Sequence, residues 1–152
     1  MPDQWPVTVR DQLATLLTTD VPVGSGQAAV NLYKSRPQDT FLADTATPAI
    51  FLTYSGMDLP RRTTGKDTRI VSLDIVCVAN RWRGQQEGED DLANLVYLVL
   101  NSLSKRKNDA TYWPLDATWT PAEFGVLWPE EDYATFSARI VWTAQASVAK
   151  PS

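Results

Sequence analysis

The chain has 152 residues, 14 of them basic and 18 acidic, which gives a net charge of −4 with no histidine and one cysteine. That length fits one domain able to bury ~70% of its unfolded surface, so neither disulfides nor a structural metal are required. Hydrophobic residues at 43% and charged residues at 21% argue against wholesale disorder, no apolar run approaches a membrane span, and the acid excess is unlike a dedicated duplex-DNA binder.

The first residues, Met1-Pro2-Asp3-Gln4-Trp5, lack the basic region and apolar core of a signal peptide, which predicts folding in a cytoplasm. Pro6 suits a first helical turn, and Val9, Leu13, Leu16 and Leu17 make one apolar stripe, predicting a helix over Val7 to Thr18. The turn formers from Asp20 to Gly26 end it. Val30 to Lys34 reads as a short strand that stops before Pro37.

Thr47 to Ser104 carries most of the information. Pro48 to Ser55 reads as a strand in which Ile50, Leu52 and Tyr54 share one face and Phe51 and Thr53 the other, so both faces are expected to be partly covered. In Arg69 to Val78, Val71, Leu73, Ile75 and Cys77 alternate with Ser72, Asp74 and Val76, the pattern of a strand with one core face. The two strands are expected to pair as an antiparallel hairpin, since a parallel pair needs a long crossover. Between them Gly56 to Thr68 reads as a thirteen-residue polar loop holding Arg61, Arg62 and Lys66, with Arg69 just beyond. A connection that long in a compact domain usually binds something or is disordered.

Glu87, Glu89, Asp90 and Asp91 precede an apolar stripe of Leu92, Leu95, Val96, Val99, Leu100 and Leu103, and Lys105-Arg106-Lys107 follows it. Acid at the start and base at the end match the helix dipole, so this is the clearest helix in the chain. In the aromatic last third, Phe136, Ala138, Ile140, Trp142 and Ala144 alternate with Ser137, Arg139, Val141 and Thr143 in the cleanest strand pattern. Pro121 and Pro129 bracket a preceding short strand, and residues 146–152 read as a frayed tail after a single domain of residues 1–145. The expected fold is α+β in two layers: one mainly antiparallel or mixed sheet of four to five strands, two principal helices on one face, and a long β-hairpin arm.

Little here suggests catalysis. Gly24-Ser25-Gly26-Gln27-Ala28-Ala29 matches a dinucleotide fingerprint superficially, but Pro22 and a helix precede it and a strand follows, the reverse of what phosphate binding needs. Gly65-Lys66-Asp67-Thr68 lacks the earlier glycine of a phosphate loop. Cys77 falls on an apolar face with no histidine to serve as a base. Glu130, Glu131 and Asp132 are consecutive, so their side chains diverge and read as a solvated turn. No catalytic residue, metal ligand or cofactor is expected. Arg61, Arg62, Lys66 and Arg69 remain, as a solvated hairpin tip or as an arm gripping an acidic neighbour, with Glu130, Glu131 and Asp132 the candidate counterparts.

The order of these elements resembles the tail terminator (tail completion, head–tail joining) proteins of tailed bacteriophages, a family of about this size. The resemblance is carried by Val9, Leu13 and Leu16 in the first helix, Val30 to Tyr33, Pro48 to Leu52, the basic loop, Arg69 to Val76, the helix at Asp91 to Ser104, and the strand Phe136 to Trp142. It implies a structural virion protein of the tail neck, assembled in the host cytoplasm. Such a protein forms a homo-oligomeric, usually hexameric, ring that caps the head-proximal end of the tail tube, stops tube polymerisation and meets the head connector. The implied partners are the tail tube protein, the connector and, in a contractile tail, the sheath; DNA only passes through the lumen, and no membrane is involved. A mildly acidic surface would let DNA slide past without sticking. Another phage neck component and, more distantly, a small cytoplasmic binding protein or enzyme are the alternatives. Co-sedimentation with tubes rather than capsids would separate the first, and a co-purifying metabolite would support the second.

Overall fold

The computed structural model describes residues 5–20, 31–35, 49–58, 62–63, 66–80, 85–105, 116–127 and 135–149. In chain order these form α1 (Trp5–Asp20), β1 (Asn31–Tyr33), β2 (Ala49–Asp58), β3 (Arg62–Thr63), β4 (Lys66–Asn80), α2 (Gln85–Lys105), β5 (Asp116–Trp119), β6 (Glu123–Leu127) and β7 (Thr135–Ala149). The fold is α+β, with two helices and one mixed sheet among the described residues. Seven described strands take part where four to five were expected, because four short strands, β1, β3, β5 and β6, join the three long ones.

The sheet runs β1-β2-β4-β7-β5, with β3 also pairing β4 and β6 also pairing β7. Among the described strands only β1 and β2 pair in parallel. β2 and β4 form the expected antiparallel hairpin, with Leu52 opposite Ile75 and Tyr54 opposite Leu73. β4 and β7 pair along their full lengths, from Lys66 opposite Ala149 to Asn80 opposite Thr135. Residues 146–149 are therefore strand, not the frayed tail their small side chains suggested; the fifteen residues of β4 give them a continuous ladder partner.

β5 and β6 are two stretches of one edge strand along β7. Trp119 faces Trp142 and Glu123 faces Arg139, so four chain steps on the edge span three on β7, and the extra residue lies in Thr120-Pro121-Ala122. Pro121, which has no N–H to give a ladder, sits in this bulge on an edge, where proline is tolerated. The Thr120 N–H donates to the Val141 carbonyl at 3.0 Å and the Val141 N–H to Thr120 Oγ1 at 3.1 Å, so pairing continues across the interruption.

Cross-strand partners share a face, so the register sorts the core. Val71, Leu73, Ile75 and Cys77 on β4, Ile50 and Leu52 on β2, and Phe136, Ala138, Ile140, Trp142 and Ala144 on β7 pack with both helices in one cluster. α1 contributes Val9, Leu13, Leu16 and Leu17, and α2 contributes Leu92, Leu95, Val96, Val99 and Leu103. Leu100, expected in that stripe, lies at its margin and is half-buried. Both helices begin earlier than the apolar periodicity indicated, at Trp5 and Gln85; in α2 the polar run from Gln85 to Asp91 leaves no stripe to read. On the other face Ala49, Phe51 and Val78 form a small buried cluster with Tyr33, whose ring stacks on Phe51 at 5.1 Å. Ala49 through Thr53 are all buried, so both faces of β2 are covered there, as the sequence predicted.

Candidate functional site

The hairpin leaves the core at one place. Along β2, burial is continuous from Ala49 to Thr53, falls at Tyr54, and gives way to exposure from Ser55 to Asp58. The β2–β4 register also shifts there, with Tyr54 opposite Leu73 and Gly56 opposite Ser72, so Ser55 is an extra residue on β2. A bulge bends and twists the strand that carries it. On the helix side, Val71 on β4 and Ala144 on β7 are the last buried positions among the described residues, and Arg69, the next on that side of β4, is half-buried. Past Tyr54 the strands β2, β3, β4 and β7 continue as paired sheet, here called the arm.

This arm replaces the expected loop. Of the thirteen residues from Gly56 to Thr68, Gly56 to Asp58 belong to β2, Arg62 and Thr63 to β3, and Lys66 to Thr68 to β4. Arg62 pairs with Asp67 and Thr63 with Lys66, so β3 and β4 close a tight hairpin at residues 64–65. Pairing on both sides of β4 holds Lys66 and Asp67 in a strand although the polar sequence here has no apolar alternation.

Backbone positions are described for three of the four expected cations, Arg62, Lys66 and Arg69. Strand alternation places position 69, like 71 and 73, on the helix side of the sheet, where Arg69 is half-buried. The register puts position 62 on that side too, opposite Asp67, whereas position 66 falls on the other face. Arg61 and the acidic candidates Glu130, Glu131 and Asp132 lie outside the described residues. β6 and β7, which flank those acids, meet with Leu127 opposite Thr135, at the Asn80 end of β4 and so at the opposite end of the sheet from the arm.

Met57 is the feature the sequence analysis missed. It pairs with Val71 and so sits on the helix side, yet it is 56% exposed while Val71 is fully buried. Met57 and Leu59, apolar residues among the polar ones of this hairpin, were the available signal. Phe124, on the same side of edge strand β6, is also exposed, as is Tyr97 on α2.

At the base of the arm, α1 is tied to the sheet. Asp11 Oδ1 accepts from Lys34 Nζ at 2.9 Å and from Arg10 Nη2 at 3.2 Å, and the Arg10 guanidinium lies 5.7 Å from the centre of the Tyr54 ring. The Lys34 ammonium, helped by Arg10, holds the Asp11 carboxyl below its ordinary value against some desolvation. On the face opposite the helices, Ser72 and Thr143 share a hydrogen bond of 3.0 Å between their hydroxyls, and Arg139 pairs with Glu123 at 3.2 Å. Asp74 Oδ1 is buried on that face with no hydrogen-bond partner among the described residues.

Cys77 is fully buried, and burial pushes its thiol up to about 12, which leaves no thiolate for attack at neutral pH. Among the described residues no group of three or more Cys, Asp or Glu side chains could hold a metal ion, and no helix is long and apolar enough to cross a membrane. The described residues present an arm with an exposed methionine and two sheet edges. No protein-family model matches the chain, and no curated protein sequence does.

Proposed function

We propose that the chain is a non-enzymatic virion subunit of the tail-terminator type, which assembles as a ring on the head-proximal end of a phage tail tube, ends tube growth and receives the head connector. One observation carries the reading most: the β2 residues Ser55 to Asp58, at the start of the arm, are exposed while Ala49 to Thr53 of the same strand are buried. A strand extension with no core beneath it contributes little to the stability of its own subunit, and it suits contact with a neighbour or with the tube. A ring needs unlike patches that meet repeatedly to closure, and the arm at one end with the Leu127–Thr135 connection at the other gives unlike ends. Arginines in the arm can fork onto a neighbour's carboxylates, as at Glu130, Glu131 or Asp132.

The test is a charge reversal in the phage. Arg61→Glu with Arg62→Glu should leave the subunit folded, since charges outside a core contribute little to stability. Tails should then be overlong or fail to join heads. Tails of normal length joined to heads at the wild-type rate would refute the role of the arm.

A further inference from the structure

We infer that the exposed length of β2, Ser55–Asp58, pairs antiparallel with β5, Asp116–Trp119, of a second copy of this chain, so that the sheet continues from subunit to subunit. The inference rests on the ring reading above and names the surfaces that meet.

The sheet ends in two different edges. On one side β1 covers β2 only from Ala49 to Phe51, and no described residue pairs with the outer edge of β2 where Ser55 to Asp58 are exposed. On the other side β5 and β6 are the last of the described strands. Pro121 and the bulge blunt the middle of that second edge, while the four residues of β5 remain a regular strand. Strand direction is settled by the topology. β2 is antiparallel to β4, β4 to β7 and β7 to β5, so β2 and β5 run in opposite directions. Copies related by rotation about an axis along the strands keep those directions, and the junction between them is an antiparallel ladder.

The register can also be traced. Met57 lies level with Val71, Ala144 and Ala117, and Asp58 level with Ile70, Gln145 and Asp116. An unshifted junction would set Asp58 against Asp116, and like charges directly opposite are destabilising. A shift of two residues, which keeps every side chain on its face, removes that conflict and places Asp58 opposite Thr118 and Met57 opposite Trp119. Such a stagger is also what a sheet closing on itself requires. Met57 and Trp119 are both on the helix side, and a thioether beside an aromatic ring is a favourable contact. The exposed methionine, which has no use in an isolated subunit, is thereby covered.

Cysteines at Asp58→Cys and Thr118→Cys, both exposed positions, test the pairing; the native thiol at Cys77 is fully buried and stays silent. Concentrated double variant under mild oxidation should give a ladder of cross-linked species on non-reducing gels, while each single variant stays uncross-linked. As a second measurement, Met57→Asp should leave the melting temperature near that of the wild type and weaken association about tenfold or more, because it sets a carboxylate against an apolar neighbour. Wild-type rings with no ladder from the double variant, or unchanged association of Met57→Asp, would overturn the edge pairing and leave the ring reading standing. A wild-type protein that never associates would overturn both.

Discussion

Replacing Ile140 by alanine probes the register on which the whole account rests. Ile140 is fully buried, faces Ile75 across the β4–β7 ladder, and sits in the main cluster with Leu95, Val99 and Trp142. Three carbons leave a buried site, which at ~0.8 kcal/mol each is ~2.4 kcal/mol of lost transfer energy. The cavity left between sheet and helices adds to this, since helices pinned on both sides relax only partly, and the total should be about 3–4 kcal/mol. For a chain of this size that lowers the melting temperature by roughly 6–16 °C. The control is its neighbour: Val141, on the opposite face and only half-buried, should cost under about 1.5 kcal/mol as Val141→Ala. Urea unfolding followed by circular dichroism measures both. A one-residue slip of β7 would exchange the two faces and invert the order. If Ile140→Ala costs less than roughly 0.5 kcal/mol, or less than Val141→Ala, the core assignment is wrong.

Further outcomes are expected. Leu73→Ala, at a fully buried position facing Trp142, should cost ~2–5 kcal/mol in the same assay, and a loss within the surface range would contradict its placement. The thiol of Cys77 should resist an aromatic disulfide reagent at pH 8 in the folded protein and react at once in denaturant. Because burial raises its folded value to about 12 from 9.0, the protonated form favours folding: this contribution is complete below pH 9 and declines as pH rises from there towards 12, so an alkaline titration that left stability flat would refute the burial. Asp11 works in the opposite sense. Its folded value lies below 3.8, so its ion pair with Lys34 stabilises above that pH and is lost as pH falls through the folded value. The stability difference between wild type and Asp11→Asn should be small at neutral pH, as for any exposed pair, and should vanish in acid; a difference that grows on acidification would refute the pairing.

The sequence disclosed those parts of the fold that touch the core. Alternation from Val71 to Cys77 and from Phe136 to Ala144 located β4 and β7, and the stripes through Leu13 and Leu95 located the helices, because burial on one side imposes a period. Where a strand has no core under it, that signal disappears. Gly56 to Asp58 and Lys66 to Thr68 read as loop for this reason, although ladders on neighbouring strands hold them extended. Ala146 to Ala149 read as a tail because small residues show no alternation, and β5 and β6 read poorly because Pro121 divides one edge strand into pieces of four and five residues. Of the candidate site, the basic residues were visible as composition, but their division between two faces of a strand depends on register. The exposure of Met57, level with the buried Val71, depends on its place on β2 past the bulge at Ser55.

The central claim is assembly into a closed ring, and the mass of the purified protein by sedimentation tests it most directly. Six copies of a 16.9 kDa chain predict a particle of about 100 kDa in equilibrium with free subunit. A single 16.9 kDa species at every accessible concentration, in the presence of tail tubes as well as in their absence, would contradict it.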